Sequence, residues 1–304
     1  MYEIIIIGGG IAAHSAAIYA SRAQLKPLVL AGIEPDQLSY TTEVENYPGF
    51  PEGVEGPELV MNARKQAERF GAQYVAEKVE SVTKIDSGFQ IKTNNNTYDT
   101  KAVIVATGAA ARMLHIPGEK DFFGKGVSSC AVCDAAFYKD KEVVVIGGGD
   151  SAMEESLILA RFAKKITIVH RRDEFRASKI MQEKVFALKD KISIVWDTVP
   201  VEVLGENNKV VGIKLQNVKD KTEQDYACDG VFLAIGHIPN SSFVKDLVEC
   251  DDLGYIKTTY SATSCEGIFA AGDCQDPTFR QAITSAGSGC MASLSAERYL
   301  ERLE

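Results

Sequence analysis

The chain has 304 residues, of which 45% are hydrophobic and 25% charged, and its formal net charge is −9. That length suits about two domains, and the balance excludes a disordered chain, a collagen-like fibre and a small disulfide scaffold. An acidic chain lacks the broad basic face of a nucleic-acid binder, so no nucleic acid is expected as its main partner.

The first segment from Ile4 to Ser21 carries no Asp, Glu, Lys or Arg. A run of 18 uncharged residues is long enough to suggest a membrane span. Gly8, Gly9, Gly10, His14 and several alanines interrupt it. A strand, a turn and a helix explain it better, and no membrane contact is expected. No basic segment with a cleavage-like site opens the chain, which predicts a cytoplasmic protein with mostly reduced thiols. Cysteines stand at 130, 133, 228, 250, 265, 274 and 290, and only the first two are close. Without a second CxxC no structural zinc or other metal is expected, and the five singles read as buried small hydrophobes.

One supersecondary signature occurs twice. IIIIGGGIAAHSA (4–16) and VVVIGGGDSAMEES (143–156) each open on a β-branched run, as a buried parallel strand does. Each continues as G-x-G-x-x-A, through Gly8, Gly10 and Ala13, then Gly147, Gly149 and Ala152. The first Gly allows a tight turn, the second lets backbone approach a pyrophosphate, and the third small residue lets helix pack on strand. The helix N-terminus then offers free N–H groups and a positive dipole end. Two copies, each between strand and helix, predict two dinucleotide sites and electron transfer between them.

After the first copy, the strand PLVL (27–30) ends in Ala31–Gly32 with no acid at its end, and Glu34 is only near it. By motif alone this site could hold FAD or NAD. SCAVCDAAF then carries Cys130 and Cys133, followed by Asp134. Cysteines at i and i+3 form a small disulfide ring or act as a dithiol with a depressed thiol pKa, and the adjacent acid can exchange a proton with a thiol. Cys133 lies ten residues before Val143, so the pair belongs to the second dinucleotide domain. Nicotinamide and dithiol must then reach the same redox centre by turns, and rotation about two short crossings is one solution.

In the second copy the strand KITIV (165–169) ends in HRRDEFR. Arg171 stands where an NAD site has its ribose-binding acid, with Arg172 and Arg176 close by. Three guanidiniums suit the 2′-phosphate of NADPH. Near the C-terminus, GIFAAGDCQDP (267–277) reads as a strand ending in Gly272–Asp273, followed by a helix pattern from Arg280. A carboxylate beside a helix start suits the polyol chain and ring of a flavin. His14 and His237 sit in no recognisable base–nucleophile pair and read as structural.

Together these residues resemble the low-molecular-weight thioredoxin reductases. The resemblance covers nearly the whole chain and includes the first Gly motif, TTEVENYPGFP (41–51), ATGA (106–109), CAVCD (130–134), GGGDSAMEE (147–155), HRRDEFRAS (170–178), AIGHIPN (234–240) and AAGDCQDPTFRQAITSAGSGCMA (270–292). It implies an α/β chain of two Rossmann-like dinucleotide-binding domains, with an NADPH domain at 115–240 inserted into a discontinuous FAD domain at 1–112 and 242–304. Short antiparallel pieces are expected around NNNTYD (94–99). The long loop PDQLSYTTEVENYPGFPEGVEGPE (35–58) is expected along FAD.

The resemblance further implies a homodimer, and FAD contacts from Gly8, Gly10, Ala13, Gln37, Leu38, Asn46, Thr107, Gly108, Asp273, Arg280, Gln281 and Ala282. For NADPH it implies Gly147, Gly149, Asp150, Ser151, His170, Arg171, Arg172 and Arg176. The implied cycle passes hydride from NADPH to flavin and electrons on to the Cys130–Cys133 disulfide, with Cys133 nearer the ring. Cys130 then attacks the disulfide of thioredoxin, and Asp134 is the acid/base.

Some positions depart from the family pattern. Pro35–Asp36 stands where Gly-Gly is common, and the loop is one residue shorter. Ala135, Ala136 and Phe137 follow CAVCD, where the family commonly has Gly and two aromatics, and Lys125 replaces a docking Arg. A fork becomes a point charge. Docking by Lys125 and Phe137 could therefore suit a divergent thioredoxin. Two alternatives are an NADPH-dependent flavin dithiol oxidoreductase with another disulfide acceptor, and a redox sensor that is reduced once and stops.

Overall fold

Two β-branched runs lie at the centre of two sheets, each among parallel neighbours. The computed structural model describes residues 1–41 and 43–303. Its first elements are β1 (Tyr2–Ile7), α1 (Ile11–Arg22), β2 (Leu28–Leu30), α2 (Gly56–Arg69), β3 (Gln73–Val75), β4 (Val79–Ile85), β5 (Gly88–Thr93) and β6 (Thr97–Val105). Then come β7 (Val127–Ser128), α3 (Ala131–Asp134), β8 (Glu142–Ile146), α4 (Asp150–Leu159), β9 (Lys165–Val169), α5 (Lys179–Phe186) and β10 (Ile192–Val195). They are followed by β11 (Thr198–Glu206), β12 (Lys209–Asn217), β13 (Glu223–Ala227), β14 (Gly230–Leu233), β15 (Ile268–Ala270) and α6 (Ala282–Glu301).

The chain divides into two units, Met1–Ala110 with Ile238–Glu304, and Ala111–His237. The α/β class and the insertion of one Rossmann-like unit into another are thus observed. The second crossing falls earlier than 240. Asn240 belongs to the outer unit, where its N–H and Nδ2 donate to the carbonyls of Gly108 and Thr107 at 2.9 and 3.0 Å.

In the outer unit the sheet runs β3-β2-β1-β6-β5-β4, with β15 also beside β6. The strands β1, β2, β3, β6 and β15 are mutually parallel, and β4–β5 is an antiparallel hairpin on the first half of β6. Side chains alternate between faces. Ile4 and Ile6 pack with the alanines of α1 and α6, and Ile5 and Ile7 pack with Phe89, Ile91 and Val248. Both faces are covered, which is why the run is continuously apolar.

In the inner unit the parallel sheet runs β7-β14-β8-β9-β10. Val143 and Val145 face Ala152, Met153 and Leu159 of α4. Val144 and Ile146 face Val203, Ile213 and Leu215, which belong to the three-stranded antiparallel sheet β11-β12-β13. This sheet takes the place of helices on that face, and it was not among the antiparallel pieces expected around 94–99.

Candidate active site

Parallel register collects the candidate residues. Ile7 is opposite Leu30 and Val105, and Val105 is opposite Ala270. The loops that follow, bearing Gly8–Gly10, Gln37–Leu38, Thr107–Gly108 and Asp273, therefore leave one carboxyl edge, where open α/β sheets bind ligands. In the inner unit Ile146 is opposite Val169 and Leu233, and Ser128 is opposite Phe232. Gly147–Gly149, the arginine loop and the Cys130–Cys133 segment share that unit's carboxyl edge.

The two Gly loops have the same local geometry. A Cβ on Gly8 (φ 138°) would lie 2.1 Å from the Ala106 carbonyl oxygen, and one on Gly147 (φ 156°) 2.4 Å from that of Ala234. These glycines are required by backbone. A Cβ on Gly149 would meet nothing within 4 Å, and one on Gly10 only the Asp36 Cβ at 3.6 Å. Gly10 and Gly149 are the N-cap positions of α1 and α4, and neither helix has a side-chain cap. Their first N–H groups are left for an anion. Ala13 and Ala152 are fully buried and serve packing.

Around the first loop, Asp36 caps a short 3-10 turn over Gln37–Tyr40, accepting from Leu38 N at 3.0 Å and from Ser39 Oγ at 2.6 Å. Pro35–Asp36 thus replaces the flexible Gly-Gly with a fixed turn that presents Gln37. Asn46 Nδ2 donates to Gln281 Oε1 at 3.4 Å. The helix expected from Arg280 starts at Ala282, because Arg280 is left-handed (φ 50°) and Gln281 forms a capping box with Thr284. Asp273 accepts from Ser285 Oγ at 2.9 Å, and burial pushes its carboxyl upward while Ser285 pulls it down. Sequence reasoning missed Asn240, whose only signal was the end of AIGHIPN.

Around the second loop, the N–H groups of Arg176 and Ala177 donate to the Gly148 carbonyl at 2.8 and 3.2 Å. Asp150 Oδ1 accepts from both Ser178 N and Ser178 Oγ at 2.8 Å. The arginine loop is thereby folded onto the start of α4, beside Ser151. Arg171, Arg172 and Arg176 are exposed, and among the described residues no ion pair engages them. His170, expected among the NADPH contacts, lies beneath the loop. It is 4% exposed, a Cβ on Gly148 would lie 2.3 Å from its ring, and Phe175 and Trp196 flank it. It supports the loop from below, and burial keeps its pKa low.

Cys130 and Cys133 form a disulfide with Cα atoms 5.3 Å apart at the start of α3. Cys133 is exposed and Cys130 half-buried. The acid next to them is Asp134, whose carboxyl burial pushes up and Ser128 Oγ, at 2.5 Å, pulls down. Lys125 and Ala136 are exposed and Phe137 partly so, while Ala135 is buried in the core. Of the five other cysteines only Cys228 and Cys274 are fully buried, their thiols pushed up to about 12 and about 11 by burial. Cys250, Cys265 and Cys290 are half-buried, a departure from the expectation. Among the described residues no group of three His, Cys, Asp or Glu could hold a metal, and no helix is long and apolar enough to cross a membrane.

A family model described as pyridine nucleotide-disulphide oxidoreductase matches residues 2–289. A thioredoxin reductase of Rickettsia bellii is 51% identical over 306 residues, spanning 99% of this chain and 98% of its own. The chain belongs to the thioredoxin reductases of this oxidoreductase family. A bifunctional thioredoxin reductase/thioredoxin of Mycobacterium leprae is 50% identical over 304 residues, 99% of this chain and 66% of its own. The thioredoxin reductase structure from Streptococcus pyogenes matches at a TM-score of 0.94, with 41% identity and 99% of each chain covered.

Membership in the thioredoxin reductases makes this chain an oxidoreductase with flavin and pyridine-nucleotide cofactors, and the resemblance read from its motifs is borne out. The residues fit such groups. At Gly10 and Gly149 almost nothing stands where a Cβ would be, both helix starts lack a side-chain cap, and the loop that bears Arg171, Arg172 and Arg176 is hydrogen-bonded to Gly148.

Proposed function

We propose that this chain is an NADPH-dependent thioredoxin-disulfide reductase, with FAD held by the outer unit and NADPH by the inner one. The observation that carries the reading is the Cys130–Cys133 disulfide beside Asp134, at the carboxyl edge that also bears the second Gly loop and the arginines. When bound, NADPH would supply a hydride and FAD a two-electron route to the disulfide.

The chain's own residues do the rest. Arg171, Arg172 and Arg176 hold the 2′-phosphate, and Gly147, Gly149, Asp150 and Ser151 border the pyrophosphate. Gly8, Gly10, Gln37, Leu38, Asn46, Thr107, Gly108, Asp273, Arg280, Gln281 and Ala282 hold FAD. Cys133 takes the electrons first. Asp134 takes the proton of the Cys130 thiol, the Cys130 thiolate attacks one sulfur of thioredoxin's disulfide to form a mixed disulfide, and the expelled thiolate takes that proton back from Asp134. Cys133 loses its proton and attacks Cys130 Sγ, the intramolecular disulfide re-forms, and the second thiolate of thioredoxin leaves and takes up the proton that Cys133 released. Two electrons and two protons have passed to the acceptor. Lys125 and Phe137 dock it, and the enzyme works as a cytoplasmic homodimer, its dithiol reaching flavin and acceptor in turn.

A second acceptor class remains a specific alternative, because exposed Lys125 and Ala136 replace a fork and an aromatic at the docking surface. The test is NADPH consumption by the flavin-loaded protein with and without oxidised thioredoxin, using Cys133→Ser as control. Sustained consumption that needs thioredoxin and Cys133 supports the reading. A single stalled reduction in the presence of thioredoxin overturns the acceptor assignment.

A further inference from the structure

Ser128 ends β7 and is 6% exposed. Its Oγ lies 2.5 Å from Asp134 Oδ2 and accepts from Cys130 N at 3.0 Å. A serine hydroxyl has one proton to give. With Cys130 N as its donor, that proton goes to the carboxyl. One side chain thus ties the acid to the backbone of the redox pair. Asp134 N in turn donates to the Cys130 carbonyl at 3.1 Å, closing the ring.

We propose that Ser128 is a positioning residue for Asp134, clamping its carboxyl against the first cysteine of the redox pair. The proposal rests on the reading of Asp134 as the acid/base. Burial favours the protonated carboxyl, and the Ser128 proton favours the carboxylate. The hydroxyl therefore offsets part of the rise that burial imposes on the Asp134 carboxyl.

The neighbouring groups leave this assignment clear. Tyr138, on the turn after α3, is itself held above the usual phenol range by burial and by Asp134's charge, so it stays neutral. The helix α4, which packs on α3, carries Asp150, Glu154 and Glu155. Cys130 and Cys133 are common to every variant below.

The test compares holoenzyme pH–rate profiles for NADPH-driven reduction of thioredoxin disulfide in wild type, Ser128→Ala, Ser128→Thr and Asp134→Asn. An infrared titration of the carboxylic-acid band in the oxidised protein, with Asp134→Asn as blank, reads the same group without turnover. The expected result is a limb that Asp134→Asn removes and that Ser128→Ala moves to higher pH by about one pH unit, the size of one charge-assisted hydrogen bond. Ser128→Thr should move it back, and the infrared midpoint should follow. If Asp134→Asn leaves the profile unchanged, the acid/base reading fails and this proposal with it. If Asp134→Asn removes the limb but Ser128→Ala lowers the rate equally at every pH, the Ser128 proposal alone is overturned. Should Ser128→Ala not fold, Ser128→Gly is read in the same way.

Discussion

The side chain of His14 illustrates how far a single residue can be understood. It is 2% exposed in the first turns of α1, and its Nδ1 lies 3.0 Å from the Tyr74 hydroxyl. The Arg64 guanidinium stands 4.6 Å from the Tyr74 ring centroid. Burial first, and the Arg64 charge second, lower the His14 pKa from 6.5 to about 4. The unfolded chain therefore takes up a proton in this window while the native state does not. Stability falls as pH drops from 6.5 to about 4, by about 3 kcal/mol in all. Replacing the group by His14→Gln should flatten the fall of the melting temperature in that window, and an unchanged slope would exclude His14 as the source. The structural reading of His14 was legible, because it has no partner base or nucleophile nearby in sequence. The support role of His170 was not, since HRRDEFR presents it beside three exposed arginines and only the fold turns its ring under Gly148.

At the scale of elements, the repeated strand–Gly–helix units were legible because a β-branched run followed by G-x-G-x-x-A has one good physical solution. The antiparallel sheet β11-β12-β13 was not read, although its first hairpin carries a signal. Asn207 and Asn208 have φ of 50° and 62° between paired Glu206 and Lys209, as a two-residue primed turn requires. Asn-Asn announces that turn less strongly than Asn-Gly. The packing of α1 on α6 was equally hidden. Here small residues let two helices approach, and a Cβ on Gly289 would lie 2.2 Å from the Ala12 carbonyl oxygen. A helical Gly→Ala change is normally worth about 1 kcal/mol of added stability. At Gly289 the clash is with backbone, so Gly289→Ala should destabilise by about 1–3 kcal/mol. Gly287, in the same helix, is exposed with nothing within 4 Å of its added Cβ. Gly287→Ala should be neutral or stabilising. Urea unfolding of both variants is the check, and equal effects would refute the close-approach argument.

At the scale of the whole molecule, the same loop is used twice, and the fold separates two duties within it. Gly8 and Gly147 are constrained by φ and by a facing carbonyl, so alanine there should cost fold stability before any ligand is added. Gly10 and Gly149 have φ of −92° and −101°, which any residue adopts, and almost nothing stands near an added Cβ. Alanine there should leave the apoprotein's melting temperature unchanged and act only where a phosphate must approach backbone. Gly10→Ala should therefore weaken flavin retention and Gly149→Ala should raise the KM for NADPH, each by roughly tenfold or more. Each variant should spare the other cofactor, because the loops belong to different units. Flavin content after gel filtration and NADPH titration of each variant measure the two arms. Flavin loss from Gly149→Ala with a raised NADPH KM in Gly10→Ala would exchange the two cofactor assignments, while thermal destabilisation by either would mean that the space beside these glycines is needed by the fold and not by a ligand.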